Sequence, residues 1–446
     1  MIKIARVFFL TLMAITLLTG CGGEEPEPLE EPFIEASPPP INPNLTTAKE
    51  RITLNVWLDL DFTRNGSLFE EIADEFEDAY QQTYQHEINV NIQSFIGESI
   101  PAKVRRSVLN GTPPDVVQGH VYAMAGQGLA EPLNRQWAEW GDNVDEQFLP
   151  AALQEVTWKE TRYGIPLDVY TLVLLYNRDH FEAAGIPPLT GSYTASTLQD
   201  VMISLTQPEK EQYGIGLTAD PRYVYTWMAA AGGDLLAGDS NNGYTFTLDA
   251  KSNIDALQFL TSMAKQGYGP LPTTRPRDYE DARQLFLDGK VSIIMGGPWD
   301  IHMIQSSYPD FPLGVAQLPQ TPAADSAASV LGSTGLFIPR GGRYQDVAFE
   351  FMKWVVSDRY AIPMARQLGR YPAKSWLQTT PYFSENLLLK PFFNQLNSAR
   401  PYRLDLFPEA QTALSNAIKV SFYGEDASQA LIKAQQLVTE MNTPAN

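Results

Sequence analysis

The chain has 446 residues, 44% of them hydrophobic, and sets 52 Asp and Glu against 32 Lys and Arg for a formal charge of −20. That length suits two or three domains of about 150 residues each, and the composition is that of an ordinary globular protein. The acidic balance argues against nucleic acid, whose phosphates need clustered cations, and against docking on an anionic membrane through a basic surface; a neutral or cationic ligand fits better.

The opening stretch MIKIARVFFLTLMAITLLTG carries Lys3 and Arg6, then an apolar run from Val7 to about Leu18. The run is short for a bilayer span and suits a signal-peptide core, expected over residues 1–20. Cys21, the one cysteine of the sequence, follows directly in LLTGC. Its place resembles a bacterial lipobox, in which the cysteine is acylated and becomes the mature N-terminus; the plain alternative is a chance cysteine near a cleavage site. A single cysteine has no internal disulfide partner. The Glu- and Pro-rich stretch that follows, Cys21 to Asn44, holds too few apolar residues to repay ordering and reads as a semi-extended spacer. A lipidated Cys21 and a tether over residues 21–50 are therefore expected, with a globular body beyond them.

From Arg51 the pattern alternates between strands and helices. RITLNVWLDLD predicts a buried strand ending on Asp59 and Asp61, with Trp57 as a core residue. In GSLFEEIADEFEDAY, Phe69, Ile72, Phe76 and Tyr80 recur at helical spacing with acids on the opposite face. HEINVNIQSF alternates like a strand, PAKVRRSVLNG is a helix stopped by Gly111, and PPDVVQG is a third strand. This βαβαβ order predicts parallel strands with right-handed crossovers, and such open sheets take ligands beyond the carboxyl ends of their strands. Asp59, Asp61 and the stretch Gly119 to Tyr122, which includes His120, stand there; strand-end acids also serve as turn or cap residues. Further on, TLVLLYN and YGIGLTA read as strands, and RDHFEAAG, VYTWMAAAGG and NIDALQFLTSMAKQG as helices. A helix YEDARQLFLDG feeds the strand KVSIIMGG, and AFEFMKWVVSD and ASQALIKAQQLVTEMN read as amphipathic helices.

Several chemistries have no motif here: there is no Gly-x-Ser-x-Gly elbow, no phosphate-cradling loop and no His-Glu-x-x-His. His86, His120, His180 and His302 are scattered and lack cysteine partners, so neither a metal nor a cofactor is expected. Aromatic and acidic residues remain. Tyr122, Tyr163, Tyr170, Tyr225, Trp227, Trp299 and Tyr371 lie near predicted element ends, many close to an Asp or Arg. Sugars offer an apolar CH face for a ring and hydroxyls for charged hydrogen-bonding groups. In GGPWD, Gly296 and Gly297 allow close backbone approach and Pro298 opens a helix, which aims Trp299 beyond the strand. Asp300 either fixes a ligand hydroxyl or is a first-turn acid favoured by the helix dipole.

Six segments in order, LNGTPPDVV, GQGLAEPL, YGIPLDVYTLVLLYNRDHFEAAGI, GKVSIIMGGPWD, LGSTGLFIPRG and LGRYPAKSW, carry a resemblance from about Arg51 to the C-terminus. They resemble the family 1 extracellular solute-binding proteins of ABC importers, the maltose-binding-protein-like group that captures sugars. The resemblance implies an α/β, two-lobed periplasmic-binding-protein fold of type II, with hinged lobes and three crossings. These are expected near Pro166–Asp168, Gly332–Ser333 and Leu368–Tyr371, giving lobes of 51–167 with 333–369 and 168–332 with 370–446. It implies that Asp61, with Asp59 beside it, and Asp168 bind hydroxyls, and that Trp299 stacks on a sugar ring over Gly297. Trp227 or Tyr225 faces the cleft, with Tyr170, Ser333, Arg370 and Tyr371 at the crossings. A shorter stretch after the third strand than in the better-known maltose binders leaves the roles of His120 and Tyr122 open.

The function so implied is a monomeric substrate-binding lipoprotein outside the cytoplasmic membrane, not an enzyme. It would hand a mono- or oligosaccharide to the permease subunits of an importer. A polyamine or other non-sugar solute in the same fold, a secreted glycosidase built on an Asp pair, and a sensor without an importer are the alternatives.

Overall fold

In the computed structural model, which describes residues 37, 39–45, 51–59, 62–95, 100–191, 193–320 and 328–442, the start of the body folds as the sequence pattern predicts. The signal peptide at 1–20, Cys21, Asp61 and most of the tether over 21–50 lie outside the described residues. Strands β1 (Ile52–Leu58), β2 (Ile88–Ser94) and β3 (Val116–Gly119) are joined by helices Phe62–Tyr84 and Ile100–Leu109. Both β2 and β3 pair with β1 in parallel, as a βαβαβ order requires. Along β1 the residues Ile52, Leu54, Val56 and Leu58 are buried and their neighbours are not. Trp57 belongs to the other set: it is half-buried against Phe95 with ring centroids 5.1 Å apart, not in the main core.

A small hairpin, β4 (Thr157–Trp158) and β5 (Thr161–Arg162), precedes β6 (Gly164–Tyr170). Then come β7 (Val173–Asn177), the hairpin β8 (Leu236–Asp239) and β9 (Gly243–Phe246), β10 (Ile293–Gly296) and β11 (Leu313–Ala316). The chain continues through β12 (Val330–Phe337), β13 (Tyr371–Pro372) and β14 (Arg400–Pro401). The larger sheet runs β13-β6-β12-β3-β1-β2, with β14 paired to β12; the smaller runs β10-β7-β11. β12 is buried along its whole length and β6 up to Tyr170, which is why neither alternates in sequence as a half-exposed strand does.

Each sheet has its own core. Leu54, Val56, Phe69, Ile72 and Phe76 pack with Phe351 and Trp354 beside the larger sheet. Leu174, Val224, Met228, Leu257, Leu414 and Leu431 fill the smaller-sheet body. Each such side chain contributes about 1.5–3 kcal/mol on full burial. The chain changes sheet between Tyr170, the last residue of β6, and Val173, the first of β7. The return passage runs alongside: Thr171 donates to the Val330 carbonyl at 2.7 Å, and Ser329 to the Leu172 carbonyl at 2.8 Å. The segments expected as the first two crossings, Pro166–Asp168 and Gly332–Ser333, lie within β6 and β12.

One short piece of the tether is described, residues 37 and 39–45. Ile41 is 7% exposed and joins the larger-sheet core. Its neighbour Asn42 donates its amide to Glu350 at 3.3 Å and accepts from the Tyr84 hydroxyl.

Candidate functional site

The site is assembled where β1, β3 and β6 end and β12 begins, which is where an open α/β sheet leaves room for a ligand. Asp168, 3% exposed on β6, is its anchor. One carboxylate oxygen accepts the Thr334 amide at 3.0 Å and the Thr334 hydroxyl at 2.8 Å; the other accepts from Arg370 at 2.8 Å. β12 makes this possible through an irregularity between Thr334 and Gly335. Ser333 donates to the Asp168 carbonyl at 2.8 Å, and Arg370 spans on to the Asp59 carbonyl at 3.2 Å. Four chain segments are thereby tied by two side chains.

Asp59 ends β1 with no hydrogen bond to its carboxylate among the described residues. Asp59 keeps an exposed edge, yet the protein packed around it strips enough water to push its pKa above the ordinary aspartate value, against the pull of Arg370 and then Arg277. Arg277 comes from the distant segment before helix Tyr279–Leu287, where its Nε donates to the Tyr279 hydroxyl at 3.2 Å. Tyr279 stacks on Tyr223 with centroids 5.0 Å apart and planes 11° from parallel.

Two aromatic rings sit together on glycine backbone. The Tyr170 ring lies so close to Gly332 that a β-carbon there would stand 1.8 Å from it. The Trp299 indole covers Gly297 in the same way, at 2.5 Å from such a carbon. The rings meet edge to face, centroids 5.2 Å apart. Trp299 is half-buried and its Nε1 has no hydrogen-bond partner among the described residues. Pro298 opens helix Pro298–Ser307 and Asp300 closes its first turn, accepting the Gly297 amide at 2.9 Å while paired with Arg283 at 2.9 Å.

A polar strip continues from Tyr170. His120 faces the Ser333 carbonyl through Nδ1 at 3.2 Å; burial, reinforced by Arg222, lowers its pKa to about 4, so the ring is neutral at pH 7. Arg222, on helix Pro221–Ala230, pairs with Asp405 at 2.9 Å. Beyond it Arg403 pairs with Glu155 at 2.7 Å and lies 3.5 Å over the Tyr122 ring. The Tyr122 hydroxyl meets that of Tyr244, on β9, at 2.5 Å.

The structure therefore brings Asp59, His120, Tyr122, Asp168, Tyr170, Gly297, Trp299, Ser333 and Arg370 into one connected array, while Asp61 lies outside the described residues. Four expected residues stand elsewhere. Tyr225 is a core residue whose hydroxyl faces Asp234 and the Pro401 carbonyl, both at 3.3 Å. Trp227 packs on Phe259, centroids 5.8 Å apart. The helix turns Arg222 and Tyr223 toward the site instead, one turn earlier than expected. Asp300, 2% exposed, is the first-turn acid and is spent on its cap and ion pair. Tyr371, 3% exposed, is enclosed by Phe383, Phe392 and Phe393, and its burial raises the hydroxyl pKa well above the usual value. Arg222, Arg277 with Tyr279, Arg403 and Tyr244 were missed: they come from separate segments of the chain, with no local pattern to mark them. Among the described residues no group of three or more His, Cys, Asp or Glu is placed to hold a metal ion.

The family model described as bacterial extracellular solute-binding protein matches residues 71–391. A maltotriose-binding protein of Pyrococcus abyssi is 24% identical over 274 residues, 60% of this chain, and the match spans just over half of that protein, 56%. The diacetylchitobiose-binding protein DasA of Streptomyces coelicolor is 26% identical over 345 residues, 73% of this chain and 74% of that one. Among solved structures, the GacH receptor of Streptomyces glaucescens, studied unliganded and with acarbose, matches with a TM-score of 0.75 at 18% identity, covering 89% of this chain and 100% of that one. The substrate-binding protein Lmo0181 of Listeria monocytogenes, in complex with cycloalternan, matches with a TM-score of 0.73 at 19% identity over 88% of this chain and 98% of that one. At these identities the likeness fixes the fold, the two-lobed α/β architecture of the periplasmic binding proteins.

Proposed function

The chain belongs to the bacterial extracellular solute-binding proteins, binding proteins rather than enzymes, and from that premise we propose that it captures a carbohydrate between its two lobes. The larger sheet forms one lobe and the smaller the other. The paired passages at 170–173 and 328–331 are the hinge about which they close on the ligand. The closed form hands its sugar to the permease of an ABC importer. Such a family works outside the cytoplasm, and acylation of Cys21 with the Pro-rich spacer would hold it at the membrane surface.

The observation that carries this reading is the pair of rings on glycine backbone beside Asp59 and the Asp168–Arg370 pair. Rings take the CH face of a sugar, and charged groups bond its hydroxyls at about twice the strength of neutral ones. The names of the relatives, maltotriose- and diacetylchitobiose-binding, point the same way. A polyamine would need several unpaired carboxylates. Here Asp168, Asp405 and Glu155 each already hold an arginine, and among the described acids of the array Asp59 alone has none at bonding distance.

A thermal-shift screen tests this, with mono-, di- and trisaccharides set against putrescine and spermidine. A sugar at a hundredfold excess over its Kd should stabilise the protein by about 2.7 kcal/mol, without turnover. Stabilisation by the polyamines alone would overturn the carbohydrate reading.

The free carboxylate makes a second expectation. Because the folded pKa of Asp59 lies above its unfolded value, the unliganded fold bears the cost of the charge at neutral pH and sheds it as the pH falls through the folded pKa. Asp59→Asn should therefore melt higher than wild type at pH 7 without ligand, by a margin that narrows in acid. It should also bind sugar about tenfold to a hundredfold more weakly, for want of a charged hydrogen bond. Paired melts with and without sugar read both signs.

A further inference from the structure

We propose that Tyr122 and Tyr244 form an end wall of the cleft, so that the protein reads a terminus of its sugar rather than an internal stretch. This rests on the carbohydrate reading above. Tyr122 follows the carboxyl end of β3 in the larger-sheet lobe, while Tyr244 stands on the β8–β9 hairpin of the other. Their hydroxyl oxygens are 2.5 Å apart, which leaves no room for a ligand atom between them.

Both rings are braced. The Arg403 guanidinium lies 3.5 Å over the Tyr122 face and is itself held by Glu155 at 2.8 Å. Trp158 meets Tyr122 from the side at 5.1 Å, and Phe407 meets Tyr244 at 6.2 Å. A ring pressed between a buried guanidinium and an indole does not swing aside for a passing chain. The other end of the strip differs: Asp59 is exposed there, with no ring or ion pair across it among the described residues. A linear oligosaccharide can therefore grow outward past Asp59 but not past the tyrosines. The unit seated by Trp299 and Tyr170 is at or near the end of its chain.

The test uses the malto-, manno-, galacto- and chito-oligosaccharides, each unmodified, blocked at the reducing end as an aryl glycoside, and blocked at the non-reducing end as a 4,6-acetal (for the galacto series, a 3,4-acetal). In the full-length protein, one block should weaken binding about tenfold or more and the other should be tolerated, as a pocket built to exclude an added group behaves. Tyr244→Ala should bring the rejected block back toward the affinity of the unmodified sugar, whereas Tyr244→Phe, which keeps the ring, should not. Equal response of wild type to both blocks, or a Tyr244→Ala profile identical to wild type, removes the wall while leaving a sugar-binding protein. Binding of no sugar in any series removes the carbohydrate reading and the wall together.

Discussion

Replacing Trp299 by alanine is expected to abolish the rise in melting temperature produced by a bound sugar, with affinity falling about a hundredfold or more, the loss typical of a central aromatic anchor. The local fold has what it needs without the indole. Helix Pro298–Ser307 starts at a proline, and its first turn is closed by the Asp300 carboxylate on the Gly297 amide at 2.9 Å. The ring itself is half-buried, makes no hydrogen bond through Nε1 among the described residues, and touches Tyr170 only by its edge. Truncation thus removes a platform and little of the core, so the unliganded melting temperature should move far less than the ligand-induced shift. Trp299→Phe should recover part of the affinity. Titration calorimetry on the three proteins decides the matter: undiminished sugar binding by the alanine variant would take Trp299 out of the site.

Asp168→Ala should be the most damaging single change for the fold. Its carboxylate accepts from the Thr334 amide, the Thr334 hydroxyl and Arg370, and its side chain is 4% exposed against 29% for Arg370. Truncation leaves a largely buried guanidinium without its hydrogen-bonded counter-charge, only Asp59 remaining nearby, and two donors on β12 without an acceptor. Breaking a buried pair from one side costs about 3–5 kcal/mol. The double variant Asp168→Ala with Arg370→Met removes the lone charge as well. It should regain much of the stability in urea unfolding, but none of the sugar affinity, since the tie to the Asp59 carbonyl is then also gone. If the double variant is no more stable than the single one, the lone guanidinium is not the source of the loss.

What could be read from the sequence follows from how local each signal is. The spacing of Phe69, Ile72, Phe76 and Tyr80 is a property of one helix, and all four are buried in it. The strand–helix alternation from Ile52 to Gly119 likewise predicts the parallel pairing of β1 with β2 and β3. Gly296-Gly297-Pro298 marks a strand ending on a helix, which placed Trp299 correctly at the mouth of β10. β6 and β12 pair antiparallel across more than 150 residues of chain, and two-residue strands such as β13 and β14 have no pattern to find. The arginines escaped for the same reason. Arg222 meets Asp405, and Arg403 meets Glu155, across 183 and 248 residues, and each alone reads as a surface charge. Tyr225 and Trp227 lie one turn along their helix from Arg222 and Tyr223, and nothing in the sequence of that helix marks which of its turns reaches the site. Tyr371 sits beside Arg370 in sequence, yet the phenylalanines that claim it, Phe383, Phe392 and Phe393, lie well further along the chain.

Ile41 carries a mechanical consequence. Its side chain is plugged into an apolar socket worth about 1.5–3 kcal/mol, with Asn42 strapped between Glu350 and Tyr84. A load there is thus spread onto helices Gln345–Val355 and Phe62–Tyr84 before it can tug on β1, whose far end carries Asp59. Force applied ahead of Ile41 would so be borne by two helices of the larger-sheet core rather than by the strand that ends beside Asp59.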